Sequence, residues 1–123
     1  MNMKVMFVDD DAINNEINQM LLGKLYPEIE VIIKSSVDEA LEYIKNPETQ
    51  NPSKLFLDIN LPIKNGWDFL AEFKDLNIST IDLYMLTSAL DLLDNDISKQ
   101  HPEVKDFVEK PLYEYKLERI FNE

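Results

Sequence analysis

Short apolar runs alternate with amphipathic segments along the chain, and this alternation constrains the fold more than any other feature. Five runs have the length and apolar character of buried strands, and they cover residues 3–8, 30–34, 54–57, 81–86 and 105–108. The segments that follow them show the spacing of amphipathic helices. Strands that alternate with helices pair in parallel and carry helices on both faces of the sheet. The sequence therefore predicts an α/β domain with the order βαβαβαβαβα.

The first two predicted helices have recognisable start signals. Asp11 can cap the first, whose apolar stripe we expect to be buried: Ile13, Ile17, Met20 and Leu21. Ser36 and Glu39 have the spacing of a capping box, which indicates the start of the second helix. Both segments are therefore predicted to cover the sheet.

The other three helices are predicted from the spacing of their apolar residues. The third places Phe69, Leu70 and Phe73 on one stripe. The fourth is predicted over residues 91–100, where the apolar pattern is thin. The last is predicted to begin near Pro111 or Leu112 and to bury four side chains: Tyr113, Leu117, Ile120 and Phe121.

Length, charge and cysteine content limit the class of protein. The 123 residues predict a single domain over residues 1–123, with no output domain. Twenty-four acidic and 12 basic residues give a net charge of −12, and such a surface repels nucleic-acid backbones. The absence of cysteine excludes disulfides and zinc–thiolate sites. No apolar stretch reaches about 18 residues, so we expect no membrane insertion and a cytoplasmic protein.

Polar clusters directly follow four of the predicted strands. They are Asp9-Asp10, Asp58, Thr87-Ser88 and Lys110-Pro111. In an open parallel sheet the carboxyl ends of the strands lie along one edge, where ligands bind. We therefore expect three acids, a hydroxyl group and an ammonium group to converge there.

The three acids predict a metal site. Asp10 and Asp11 alone would be explained by helix capping, but Asp58 adds a carboxylate after a neighbouring strand. Clustered carboxylates repel one another unless a cation intervenes. Oxygen ligands of this kind suit Mg²⁺ or Mn²⁺. We therefore predict that Asp9, Asp10 and Asp58 are buried around a divalent cation.

A carboxylate beside such a cation can act as a nucleophile toward phosphorus. Lys110 and the Thr87 hydroxyl would then neutralise charge on the phosphoryl oxygens, and the small Ser88 would leave room for the group. The bond between Lys110 and Pro111 is a candidate cis peptide, which would aim Lys110 across the strand ends. Alternatively, Pro111 occupies the first turn of the last helix.

Five motifs, taken in this order, resemble a response-regulator receiver domain, the CheY-like module of two-component signalling. They are Val8-Asp9-Asp10-Asp11, Leu57-Asp58-Ile59-Asn60-Leu61-Pro62, Asn65-Gly66, Leu86-Thr87-Ser88 and Val108-Glu109-Lys110-Pro111. The resemblance spans the whole chain. It implies a flavodoxin-like, doubly wound (βα)5 fold with a five-stranded parallel sheet in the order 2-1-3-4-5.

The resemblance also implies a role for each site residue. Asp58 matches the phosphoacceptor, and Asp10 and Asp58 match the side-chain ligands of Mg²⁺. The backbone carbonyl of Asn60 matches a third ligand, and Asp9 matches the acid that holds the metal through water. The remaining matches are the switch hydroxyl Thr87, the aromatic switch residue Phe107 and the family's lysine, Lys110. As an alternative, Phe107 is simply a core residue.

Receivers of this family sample inactive and active forms, and phosphorylation favours the active one. The implied phosphoryl donor is a sensor histidine kinase or a histidine phosphotransfer protein. The implied target surface comprises the fourth helix, the fifth strand and the last helix. Such a domain is no conventional enzyme, although it can phosphorylate itself from small donors and dephosphorylate slowly.

Other functions remain as alternatives to a stand-alone receiver. They are a fragment of a longer regulator or hybrid kinase, a binding-only adaptor, and a Mg²⁺-dependent phosphatase with an aspartate nucleophile. The phosphatase is disfavoured because Asn60 stands where a second acid is typical. Elsewhere, we expect His101 in a solvated loop and Trp67 in packing or a partner contact. Of Tyr113 and Tyr115, one is expected in the core and one at the surface.

Overall fold

The computed structural model describes residues 3–122, so residues 1, 2 and 123 of the predicted domain lie outside it. The strands are β1 Lys4–Val8, β2 Glu30–Lys34, β3 Lys54–Asp58, β4 Asp82–Thr87 and β5 Val104–Glu109. They form one parallel sheet in the order β2-β1-β3-β4-β5. This order confirms the predicted flavodoxin-like fold.

The helices follow the strands in sequence. They are α1 Ala12–Leu25, α2 Val37–Lys45, α3 Gly66–Leu76, α4 Ile97–Gln100 and α5 Glu114–Phe121, with a 3₁₀ turn at Leu90–Leu92. The longest helix of the described residues, α1, has 14 residues. No helix within 3–122 is long and apolar enough to cross a membrane.

The apolar strands are buried because both faces of the sheet are covered. Val5, Phe7, Phe56 and Tyr84 point to one face, where they pack with the apolar residues of α1 and α5. The side chains in between point to the other face and pack against α2 and α3. Complete burial of each large apolar side chain contributes roughly 1.5–3 kcal/mol. The core therefore holds the strands, and with them the strand ends, in fixed register.

Helix α1 contradicts the predicted direction of its apolar stripe. Ile13, Ile17 and Met20 are 71%, 50% and 67% exposed, whereas Asn15 and Asn18 are buried. The Asn15 side-chain amide donates to the backbone carbonyl of Asp9 at 2.8 Å. This bond turns the asparagine face toward the sheet and leaves much of the apolar stripe in solvent.

The connection between β4 and β5 is less regular than predicted. The prediction of a single helix over 91–100 is wrong, because the structure has a 3₁₀ turn and the four-residue α4. The Asp96 N–H donates to the Asp94 side chain at 2.9 Å. This local bond competes with the helical hydrogen bonds and separates the two short helical segments.

Helix α5 begins later than predicted, at Glu114. The bond between Lys110 and Pro111 is cis, and Pro111 precedes the helix, so the first of the two sequence alternatives is confirmed. Tyr113 and Tyr115 are both exposed, which contradicts the expectation that one belongs to the core. Their rings stack on each other at 6.0 Å instead. Leu117 and Ile120 are buried as predicted, while Phe121 is only partly buried.

Candidate functional site: an acidic pocket at the carboxyl edge of the sheet

The strand register brings the distant polar clusters to one edge. Val8 pairs with Leu57, Asp58 with Leu86, and Thr87 with Glu109. The residues that follow these positions therefore emerge side by side above the sheet. Folding thus gathers groups that lie up to 101 positions apart in the chain.

Asp9 is a buried acid at the end of β1 with three donors around it. Its carboxylate accepts from the Asp11 N–H at 3.0 Å and from the Asn14 side-chain amide at 2.8 Å. The Lys110 ammonium lies 3.4 Å from the second oxygen, Oδ2. These bonds offset much of the cost of burying the charge and fix the direction of the carboxylate.

Asp58 ends β3 and is also buried. Its Oδ1 accepts from the Asn60 N–H at 3.0 Å, and its Oδ2 receives the Lys110 ammonium at 3.2 Å. The following residue, Ile59, is held on both sides, by its N–H to Leu86 at 2.9 Å and by its carbonyl to Gly66 at 2.8 Å. The position of Asp58 is therefore set by neighbouring backbone.

Lys110 is the cation of the pocket. Its backbone N–H donates to the Thr87 carbonyl at 2.8 Å, which ties the end of β5 to β4. Burial by itself would lower the pKa of Lys110, but the charges of Asp9 and Asp58 outweigh it and leave the pKa above the usual value of 10.5. Lys110 therefore stays an ammonium group at neutral pH and serves as a fixed positive charge.

The three predicted acids come together. Asp9, Asp10 and Asp58 each offer a carboxylate oxygen within 4.8 Å of the others. The predicted burial holds for Asp9 and Asp58 but is wrong for Asp10, which is exposed at the rim just before the cap of α1. An all-oxygen set with one accessible acid fits Mg²⁺ or Mn²⁺, because these ions take carboxylates and retain water. The role of the Asn60 carbonyl stays a prediction, although its N–H binds Asp58.

The predicted switch residues flank the acids. Thr87 is buried at the end of β4, and its hydroxyl oxygen accepts from the Ala89 N–H at 3.1 Å. Because that bond uses an oxygen lone pair, the hydroxyl hydrogen can still donate to another group. Ser88 is exposed, and Phe107 is buried on β5.

Two contacts of the structure were not predicted from the sequence. Asn14, which binds Asp9, lies three residues after the cap Asp11 and so faces back toward the strand end. That spacing was a usable signal in the sequence. His101 was expected in a solvated loop, but it is half-buried and its ring lies 5.2 Å from Trp67. Trp67 also lies 6.0 Å from Phe107, so this half-buried ring packs against other described residues, as one of its two expected roles requires.

This geometry favours one kind of chemistry. A buried carboxylate, Asp58, is held beside a permanent cation, with a second acid and a hydroxyl group near the same edge. His101, the only histidine, belongs to the packing around Trp67, so the pocket acids have no imidazole base. The arrangement can bind a group with several anionic oxygens and present a carboxylate to it.

Comparison with known proteins identifies the family of the chain. Residues 5–122 match the sequence model of the family described as "Response regulator receiver domain". The chain belongs to this family. Members of the family are phosphoacceptor signalling modules of two-component systems. Membership also argues against the phosphatase alternative.

Individual relatives support the assignment. An uncharacterised response regulatory protein of Staphylococcus epidermidis is 32% identical over 97% of this chain and 45% of its own length. A two-component response regulator from Cytophaga hutchinsonii has 26% identity and a TM-score of 0.84, covering 99% and 96% of the two chains. A CheY-like receiver domain from Methylobacillus flagellatus, at 20% identity and a TM-score of 0.81 over 99% and 98%, shares the fold. The chain spans less than half of the length of the curated relatives it matches.

Proposed function

We propose that this receiver accepts a phosphoryl group on Asp58 from a phosphohistidine of a sensor kinase or of a phosphotransfer protein. One observation carries the proposal: the Asp58 carboxylate is buried 3.2 Å from the Lys110 ammonium and shares a 4.8 Å cluster with Asp9 and Asp10. That combination places a nucleophilic oxygen where incoming negative charge is compensated.

The transfer step follows from these positions. An oxygen of Asp58 attacks phosphorus, the phosphorus–nitrogen bond of the donor breaks, and its electron pair returns to the imidazole. Lys110 and the Thr87 hydroxyl stabilise the charge on the phosphoryl oxygens, since neither needs to lose a proton. Asp9, Asp10 and Asp58, with the predicted Asn60 carbonyl, would hold Mg²⁺ or Mn²⁺. The ion would supply further positive charge at those oxygens.

The proposed response is a shift between two conformations. The added negative charge on Asp58 attracts the Thr87 hydroxyl, and movement of Thr87 opens space for Phe107. Phe107 lies 6.0 Å from Trp67, so this movement changes the surroundings of the chain's single tryptophan. The partner surface formed by α4, β5 and α5 then changes its affinity for a downstream protein. A stand-alone role over residues 1–123 and a cytoplasmic location stay predictions from the sequence.

Incubation with acetyl phosphate and Mg²⁺ tests the proposal. We expect the wild-type chain to gain one phosphoryl group by intact mass, and Asp58→Asn to gain none. Asp91→Asn removes the same charge at an exposed position and should behave as wild type. Labelling of Asp58→Asn at wild-type stoichiometry would contradict the role of Asp58. Unchanged Trp67 fluorescence with beryllofluoride would contradict the coupled movement of Phe107.

A further inference from the structure

The turn that carries Lys110 has to hold its ammonium group against two acids. Strand β5 ends at Glu109 and α5 begins at Glu114, so residues 110–113 form the connection. On the strand side, the Lys110 N–H is fixed to the Thr87 carbonyl. On the helix side, the Tyr113 N–H donates to the Pro111 carbonyl at 3.0 Å. A further restraint comes from outside the turn.

Lys116 supplies that restraint. Its ammonium group donates to the Glu109 carbonyl at 2.6 Å and to the Pro111 carbonyl at 3.3 Å. These two carbonyls belong to the residues directly before and after Lys110. One cation therefore joins both sides of the residue whose side chain reaches Asp58, through charge-assisted hydrogen bonds that are stronger than neutral ones.

Two exposed aromatic rings lie close to the same ammonium group. Its nitrogen lies 5.4 Å from the centre of the Tyr113 ring and 6.0 Å from that of Tyr115. The two rings stack on each other with 18° between their planes. Because both tyrosines are exposed, they add little to the core. Their position over Lys116 favours one conformation of a long side chain through cation–π attraction.

Lys116 does not stabilise the first turn of α5. It is the third residue of the helix, where the helix dipole and a capping box both favour an acid. The residue at the cap, Tyr113, makes no side-chain capping bond. A cation at this position therefore opposes the dipole. Its two carbonyl contacts offset that effect and involve the turn instead of the helix.

We propose that Lys116 is a positioning residue that holds Lys110 in place for phosphoryl transfer to Asp58. The inference rests on the proposed function, since it assigns a role within that reaction. Lys110 contacts the pocket acids directly, and Lys116 acts through the backbone on either side of it. Loss of the Lys116 ammonium leaves two carbonyls without this donor and lets the turn drift.

The test compares Lys116→Met with Lys45→Met. Lys116→Met keeps an apolar stem without the ammonium, and Lys45→Met makes the same charge change at an exposed position of α2, outside the proposed partner surface. We expect Lys116→Met to slow phosphorylation by acetyl phosphate about fivefold and to weaken beryllofluoride binding by a similar factor, because misplacement by a fraction of an ångström slows a positioned reaction. Lys45→Met should match wild type, and Lys116→Arg should restore most of the rate.

A second measurement separates positioning from general damage. Calorimetric titration of Mg²⁺ should give Lys116→Met the affinity of wild type, because the carboxylates do not contact Lys116. Equal rates for Lys116→Met and Lys45→Met would overturn the inference. It would also be overturned if Lys116→Arg stayed slow, or if Mg²⁺ affinity fell in step with the rate. If the methionine variant does not fold, Lys116→Gln takes its place under the same criteria. A wild type that gains no phosphoryl group overturns the proposed function as well.

Discussion

Lys110 contacts two acids of the resting pocket and would also serve the proposed phosphoryl transfer. In the resting state it pairs with Asp9 and Asp58, which lie at 3.4 and 3.2 Å from its nitrogen. In the proposed transfer, these contacts would give the incoming phosphoryl group a cation that already lies beside Asp58. Solvent screens these two ion pairs only partly, because both acids are buried and Lys110 is half-buried.

Replacing Lys110 by methionine should slow acetyl phosphate labelling by about 100-fold, the usual effect of removing one charge-stabilising donor. The ratio of wild-type to variant rates should be the same at pH 7 and pH 9. The pKa of Lys110 is raised above 10.5, so the contribution of its charge is complete below that value and is lost only as pH rises through the folded-state pKa. Rates measured by mass spectrometry at both pH values check this. A ratio that falls toward one at pH 9 would show that Lys110 titrates in this range.

At the junction of β3 and α3, the backbone of Gly66 lies very close to the backbone of Ile59. Gly66 begins α3, and its N–H donates to Ile59 at 2.8 Å. A Cβ atom on residue 66 would lie 2.8 Å from the Ile59 Cα and 3.0 Å from the Met85 Cε. The backbone at Ile59 cannot move away without displacing Asp58, the proposed phosphoacceptor. This junction therefore requires glycine because of space and not because of dihedral angles.

Gly66→Ala should destabilise the protein by roughly 1–3 kcal/mol, the usual range for overpacking. Gly23→Ala is the matched control. It lies inside α1 with nothing within 4 Å of the added Cβ, so it should stabilise by about 0.5–1 kcal/mol through helix propensity. Chemical denaturation of both variants measures the difference. If both substitutions changed the free energy of unfolding in the same direction, the close contact with Ile59 would not be the reason for glycine at residue 66.

Substitutions on the two faces of α1 should differ strongly in their effect on the free energy of unfolding. Leu22 is fully buried and Ile17 is half-exposed, although periodicity alone would bury Ile17. We expect Leu22→Ala to lower the free energy of unfolding by about 2–5 kcal/mol. Ile17→Gln should change it by less than about 0.5 kcal/mol, as exposed substitutions usually do. Urea denaturation gives both values, and a large loss for Ile17→Gln would mean that this face is covered.

The same helix shows how far the sequence could predict the structure. Strand runs such as 54–57 were predictable because short, continuous apolar stretches between turn residues are typical of buried strands. The stripe on α1 was recognisable too, but periodicity does not say which face turns inward. That direction depends on a tertiary hydrogen bond from Asn15 to the Asp9 carbonyl. Likewise, the clusters at the strand ends predicted Asp9, Asp58 and Lys110 together, whereas the contacts of Lys116 depend on the exact path of a turn.

The whole molecule is strongly acidic, and electrostatic repulsion among the acids of the pocket destabilises the folded state. The chain carries a net charge of −12, and three of its acids share one small cluster. Lys110 offsets part of this repulsion in the described structure. Surface acids elsewhere are separated by solvent and interact weakly at physiological salt. A cation that binds at the cluster should therefore act on stability more than a general increase in ionic strength.

Addition of Mg²⁺ should raise the melting temperature, because an ion that binds only the folded state stabilises it by mass action. At a concentration ten times the dissociation constant the gain is about 1.4 kcal/mol, or roughly 3–6 °C for a domain of this size. Asp10→Asn should lose most of this shift, since Asp10 is the accessible acid of the cluster. Asp91→Asn makes the same charge change at an exposed position and should keep the shift. Calorimetry at constant ionic strength decides between them, and equal shifts for both variants would mean that Mg²⁺ acts by screening and not by binding at the pocket.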